Sequence, residues 1–168
     1  LPTSPAICDA ETAILYPGMG LLEGINVNEG RGTEYPFKIF GAPWIDSNLL
    51  CTAFTQVNRA GTKAKEISYV PESGLYSGLK CHGLKISVTD SQIFKPVETG
   101  LQLLFLFTCL FPVQCKERLY PTVANPSGSG HLDKLTGVHH SFERIKSGDI
   151  PSTAISNWKN QIQPFLLY

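Results

Sequence analysis

The sequence predicts a single small α/β domain in which a mixed sheet of four or five strands packs on helices. Three observations carry this. The chain has 168 residues, with hydrophobic residues at 42% and charged residues at 17%, which is the length of one domain and a composition that buries a core. Short apolar runs bounded by turn signals recur through the first half of the chain, as strands do. Residues 97–111 are apolar on nearly every face, which marks a helix needing cover on both sides.

In chain order, the run Ala13, Ile14, Leu15, Tyr16 reads as a buried strand closed by the turn pair Pro17–Gly18. Residues 18–32 then carry five glycines, at positions 18, 20, 24, 30 and 32, and read as a long irregular segment that folds around something. Residues 37–40 alternate as a half-buried strand. After Pro43, Asp46 or Ser47 caps a helix running to about Asn58. Residues 66–70 and 84–89 are the next strands, followed by the apolar helix 97–111. Residues 124–130 form a flexible surface loop rich in Ser, Gly, Asn and Pro, and amphipathic helices follow near 139–146 and 151–163.

The charge balance is zero, with 14 Lys+Arg against 14 Asp+Glu. It provides no basic surplus for a nucleic acid or an anionic membrane. The most apolar stretch, 101–113, falls short of the roughly 20 residues that span a bilayer. No basic segment followed by an apolar one opens the chain, so any signal peptide is expected outside these residues, and a start at Leu1 suggests a fragment. The five cysteines form no CxxC pair. They predict no disulfide framework and a buried, unpaired Cys109.

Several chemistries can be tested on spacing. Gly18, Gly20 and Gly24 follow an apolar run as a dinucleotide fingerprint would, but the residues after them have little helix propensity, so the helix N-terminus needed under a pyrophosphate is lacking. A Walker A loop fails because Arg31–Gly32 stands where Lys–Ser/Thr is required. The histidines at 82, 131, 139 and 140 have no ligand spacing, and adjacent His139 and His140 point about 100° apart on a helix. They read as surface or capping residues, and neither a metal nor a cofactor is expected. Residues 23–33 are different. Glu23, Asn26, Glu29, Arg31 and Thr33 gather carboxylates, an amide, a guanidinium and a hydroxyl, the planar polar groups that bind sugar hydroxyls and carboxylates. The alternative is an ordinary surface loop in which Glu29 and Arg31 pair with one another. The segment is expected to be ordered. Trp44 and Tyr76 could stack on a sugar face or pack in the core.

The strings EGINVNEGRGT at 23–33 and PFKIFGAPWID at 36–46 resemble the C-terminal half of the NamZ-type peptidoglycan hydrolases, the exo-β-N-acetylmuramidases of glycoside hydrolase family 171. The resemblance continues through ISVTD at 86–90, FKPVETGLQLL at 94–104, DKLTG at 133–137 and FLLY at 165–168. It implies that residues 1–168 are the smaller C-terminal α/β domain of a secreted or periplasmic enzyme. That enzyme would release N-acetylmuramic acid from the non-reducing ends of cell-wall glycans. It also implies an N-terminal Rossmann-like domain, absent from this chain, that holds the principal catalytic acid, so no catalytic residue is assigned here. Glu23, Asn26, Glu29, Arg31 and Thr33 match the family pattern and are the expected substrate-binding residues. Arg31 would hold the lactyl carboxylate of muramic acid. Ile25 and Asn28 stand where the family has Thr and Ser, and Leu75 where it has Lys. These departures also suit a second role, a peptidoglycan- or protein-binding module that keeps the fold without the activity.

Overall fold

The computed structural model describes residues 4–57, 59–152 and 158–165. The first element is a helix, α1 (Ala10–Met19), where a strand is expected at 13–16. Four apolar residues fit either element by periodicity, and the deciding signal lies upstream. Asp9 is extended, and its side chain accepts the Thr12 N–H at 2.8 Å, an N-cap reinforced by Glu11 in the first turn. Pro17 lies inside the helix without ending it. A 3₁₀ turn, Gly20–Gly24, continues the chain.

The sheet has three described strands, all antiparallel, where a mixed sheet of four or five is expected. β3 (Cys81–Val88) lies between β1 (Ile39–Ala42) and β2 (Thr62–Tyr69), with Gly41 opposite Gly83 and Glu66 opposite Leu84. The missing strand is the run that became α1. In part its place is taken by the glycine-rich segment, which reaches the free side of β1 at a single residue. Asn28 and Gly41 exchange both backbone hydrogen bonds, at 2.8 and 2.9 Å. Between β1 and β2, α2 (Ser47–Val57) opens with the Asp46 carboxylate accepting the Leu49 N–H at 3.0 Å, the cap its sequence predicts. Asn58, the expected helix end, lies outside the described residues.

The helix expected at 97–111 is α3 (Pro96–Leu110), and it is the centre of the core. Leu101, Leu103, Leu104, Leu106 and Phe107 are buried on it, and α1, α2, the 3₁₀ turn and α5 (Ser141–Lys146) pack around it. One stripe is only partly covered. Gln102, Phe105 and Cys109 recur at helical spacing, and Cys109 is exposed where burial is expected; an apolar helix still leaves an outward line where no element crosses it. Helix α4 (His131–Thr136) precedes α5 and has no counterpart among the expected elements. Of the helix expected at 151–163, α6 (Trp158–Ile162) and a following 3₁₀ turn are present, and residues 153–157 lie outside the described ones. Residues 124–130 are on the surface as expected, tied by turn bonds such as Tyr120 N–H to Gly128 C=O at 2.9 Å.

Two glycines set the approach of α1 to α3. A Cβ on Gly100 of α3 would lie 2.2 Å from the Gly18 carbonyl oxygen, and one on Gly18 would lie 1.9 Å from that of Pro96. The backbones of α1 and α3 therefore touch, and only hydrogen fits between them. Gly100→Ala is expected to lower stability in urea unfolding by about 1–3 kcal/mol or more through overpacking. Gly20→Ala, where the added carbon meets only the Tyr16 ring at 3.5 Å, is expected to stay within about 1 kcal/mol of the parent.

All five cysteines are unpaired. Burial pushes the Cys81 thiol up to about 11 and the Cys115 thiol up to about 12, so neither offers thiolate at neutral pH. In a native-state titration with an aromatic disulfide reagent, Cys8 and Cys109 should react first. Cys81 and Cys115 should react only on unfolding. Early labelling of Cys115 would contradict this packing.

Candidate functional site

The glycine-rich segment is a wall of the core and not a solvated tip. Ile25, Val27 and Asn28 are fully buried and Glu29 nearly so. Residues 24–26 run against 116–118, with Asn26 N–H bonded to Lys116 C=O and Arg118 N–H to Gly24 C=O, each at 3.0 Å. Asn28 then ties the segment to its surroundings. Its side-chain NH₂ donates to the carbonyls of Arg31 (3.2 Å) and Leu75 (3.0 Å). Its side-chain oxygen accepts from Gly30 N–H (2.9 Å) and from the Tyr69 hydroxyl (2.9 Å). Burial, with the nearby Cys81 and Glu29, raises the Tyr69 phenol and keeps it a donor. Gly30 takes a φ of +82°, a left-handed turn that brings Arg31 back over Glu23 and that a side chain would resist.

An ionic cluster results. Arg31 Nη2 and Nε bond Glu23 Oε1 at 2.7 and 3.2 Å, and Arg31 Nε lies 3.1 Å from Glu29 Oε1. The other oxygen of Glu29 faces Arg118 Nη1 at 3.4 Å. Glu29 thus stands between two guanidiniums, one on each oxygen. Burial is the largest influence on its carboxyl and raises it, against the lowering by its own backbone N–H and by Arg118 and Arg31. Burial disfavours charge on Arg31 too, but the bond to Glu23 and the two carboxylates outweigh it and hold the guanidinium more firmly charged. Beneath them His131 stacks on Tyr120, with ring centroids 4.4 Å apart. His131 Nε2 is buried without a hydrogen bond, 3.9 Å from Glu23 Oε2. Burial lowers its pKa more than Glu23 raises it, so the ring is neutral at pH 7.

Of the five expected binding residues, Glu23, Glu29 and Arg31 converge here. The other two face backbone. The Asn26 amide donates to Gln114 C=O at 2.9 Å and accepts from Lys116 N–H at 2.8 Å. The Thr33 hydroxyl donates to Gly30 C=O at 2.7 Å and accepts from Tyr35 N–H at 3.0 Å. Trp44 packs edge-on against Phe107 and Phe111, and its indole N–H donates to the Tyr76 hydroxyl at 3.1 Å. The tryptophan therefore belongs to the core. Positions 25 and 28 are buried, so neither departure concerns an exposed hydroxyl: Ile25 changes packing, and Asn28 changes buried hydrogen bonding, one bond going to the backbone of the third departing residue, Leu75. Sequence reasoning missed Arg118 and Tyr120, which reach the cluster through the pairing of 24–26 with 116–118, and read His131 as a surface or capping residue, whereas α4 packs on the 3₁₀ turn and buries its Nε2 beside Glu23. Among the described residues, no group of three His, Cys, Asp or Glu is placed to hold a metal ion.

Removing the Asn28 amide would take the acceptor from Gly30 N–H and the donor from the Arg31 and Leu75 carbonyls, and would leave the Tyr69 hydroxyl only the Asn28 backbone carbonyl at 3.1 Å. Asn28→Ala is expected to cost about 2–4 kcal/mol in denaturant unfolding. Asn26→Ala, whose partners are on the exposed residues Gln114 and Lys116, is expected to cost about 1–2 kcal/mol.

Comparison with known proteins accords with this chain's resemblance. The family model described as "Exo-beta-N-acetylmuramidase NamZ, C-terminal" matches residues 14–167. The chain is 32% identical over 162 residues to the peptidoglycan beta-N-acetylmuramidase NamZ of Bacillus subtilis (strain 168), covering 96% of this chain and 37% of that protein. Two crystal structures of DUF1343 family proteins from Bacteroides fragilis share the fold. One has a TM-score of 0.75 at 18% identity, over 100% of this chain and 45% of the other. The second has a TM-score of 0.59 at 20% identity, over 99% of this chain and 43% of the other. The chain spans less than half the length of each of these relatives. By sequence across nearly its whole length, and by fold, this chain belongs to the NamZ C-terminal family.

Proposed function

We propose that this domain is the C-terminal part of a secreted or periplasmic cell-wall glycoside hydrolase. It releases N-acetylmuramic acid from the non-reducing ends of peptidoglycan glycans, and it closes a cleft whose other wall is an N-terminal Rossmann-like domain. The observation that carries this reading is the cluster of Glu23, Glu29, Arg31 and Arg118, rigidly based and partly open to solvent, with 41% of the Arg31 side chain exposed. Muramic acid differs from glucosamine by a lactyl ether that ends in a carboxylate. A guanidinium fixed by two carboxylates of its own chain recognises such a group with little loss of side-chain freedom.

Glycoside hydrolysis needs two suitably placed carboxyl groups, one of which protonates the leaving oxygen. Glu23 and Glu29 hold Arg31 and are both largely buried, which suits positioning more than proton transfer to a glycosidic oxygen. The general acid belongs to the partner domain. Asn26 and Thr33 serve the site indirectly, by fixing the loop that carries it.

The lone chain should therefore hydrolyse a chromogenic N-acetylmuraminide negligibly, and adding the N-terminal domain, in cis or as a separate chain, should restore release. Arg31→Ala in the restored enzyme should lower kcat/KM on the muraminide by about tenfold or more, with a smaller loss on the N-acetylglucosaminide. Full activity of the lone chain would overturn the division of labour. Binding of glycan without turnover, even with the N-terminal domain present, would favour a binding module.

A further inference from the structure

We infer that Arg118 is the second arm of the carboxylate site and sets its preference for muramic acid over glucosamine; this rests on the function proposed above. Arg31 has already used its side-on fork, because Nε and one N–H of Nη2 bond Glu23 and Nε also faces Glu29. Its end-on edge, Nη1 and the second N–H of Nη2, is left without an acceptor among the described residues. Arg118 is occupied differently. Nη1 alone meets a carboxylate, Glu29 Oε2 at 3.4 Å, and Nε and Nη2 bond no acceptor among the described residues.

Arg118 is also well fixed. Its backbone N–H bonds Gly24 C=O at 3.0 Å, and its guanidinium carbon lies 4.9 Å from the centre of the Tyr120 ring, an attractive cation–π contact. Tyr120 is backed in turn by the stacked His131 ring. With 21% of the side chain exposed, the guanidinium is partly open to solvent. Glu29 binds both arginines, one on each oxygen, so both cations stand within reach of one carboxylate. A ligand carboxylate taking Nη1 of Arg31 and the unoccupied N–H groups of Arg118 would repeat that bridge from the solvent side. A sugar without the lactyl group has no anion to place there.

The test is an NMR titration of the 168-residue chain with free N-acetylmuramic acid and, separately, N-acetylglucosamine. Arg118→Lys keeps the charge that balances Glu29 but loses the planar fork. The expected result is that N-acetylmuramic acid shifts the Arg118 and Arg31 side-chain signals and that Arg118→Lys weakens its binding about tenfold. Binding of N-acetylglucosamine should not change, and amide signals of α3 should match the parent in both proteins. Equal binding of the two sugars by the parent chain, or equal weakening of both in Arg118→Lys, would overturn the inference. Either result would leave untouched whether the N-terminal domain restores turnover, which tests the proposed function separately.

Discussion

A buried amide holds this domain's candidate functional face in place. Asn28 has no exposed surface, yet its side chain joins Gly30, Arg31, Leu75 and Tyr69. Its backbone meanwhile pairs with Gly41 of β1. A polar group so placed is costly unless fully bonded and rigidifying when it is. Together with Glu72 N–H to Gly32 C=O at 2.8 Å and the Tyr76 hydroxyl to Asn26 C=O at 2.9 Å, Asn28 makes one body of the glycine-rich segment, the sheet and the 71–79 loop. The same bonds fix the turn that returns Arg31 over Glu23.

The ionic cluster depends on that base. A carboxylate as buried as Glu29 destabilises the fold unless cations face it, and Arg31 and Arg118 do so from its two sides. The arrangement is worth more as geometry than as stability, because the desolvation of four buried or half-buried charges offsets much of their attraction. What it provides is a pair of guanidiniums held still at the surface. Binding then loses little side-chain entropy.

Much of the scaffold was legible from local signals. Asp46 before an apolar helix and the apolar run of α3 act over a few residues and formed as read; strands formed where two were expected, but β2 starts at Thr62 rather than Glu66 and β3 at Cys81 rather than Leu84. The first helix was not legible from its apolar run, because Ala13 to Tyr16 suits strand and helix alike and the capping Asp9 lies outside it. The outward stripe of α3, where Cys109 emerges, depends on which neighbours pack against the helix. At the candidate site, Glu23, Glu29 and Arg31 were visible because they lie within nine residues of one another. Arg118 was not, since it arrives from 89 positions beyond Glu29 through backbone pairing that no local pattern announces. Asn26 and Thr33 share the motif and instead bond its own backbone, a division that only the fold determines.

The central claim is that residues 23–33 form a rigid, pre-organised wall instead of a surface loop that orders on binding. Native-state hydrogen exchange of the chain without ligand tests it most directly. The N–H groups of Asn28 and Gly30, bonded to Gly41 and to the Asn28 side chain, should exchange only through openings nearly as costly as global unfolding, as slowly as those of β3. Exchange of these amides at the rate of the exposed 124–130 loop would contradict the account.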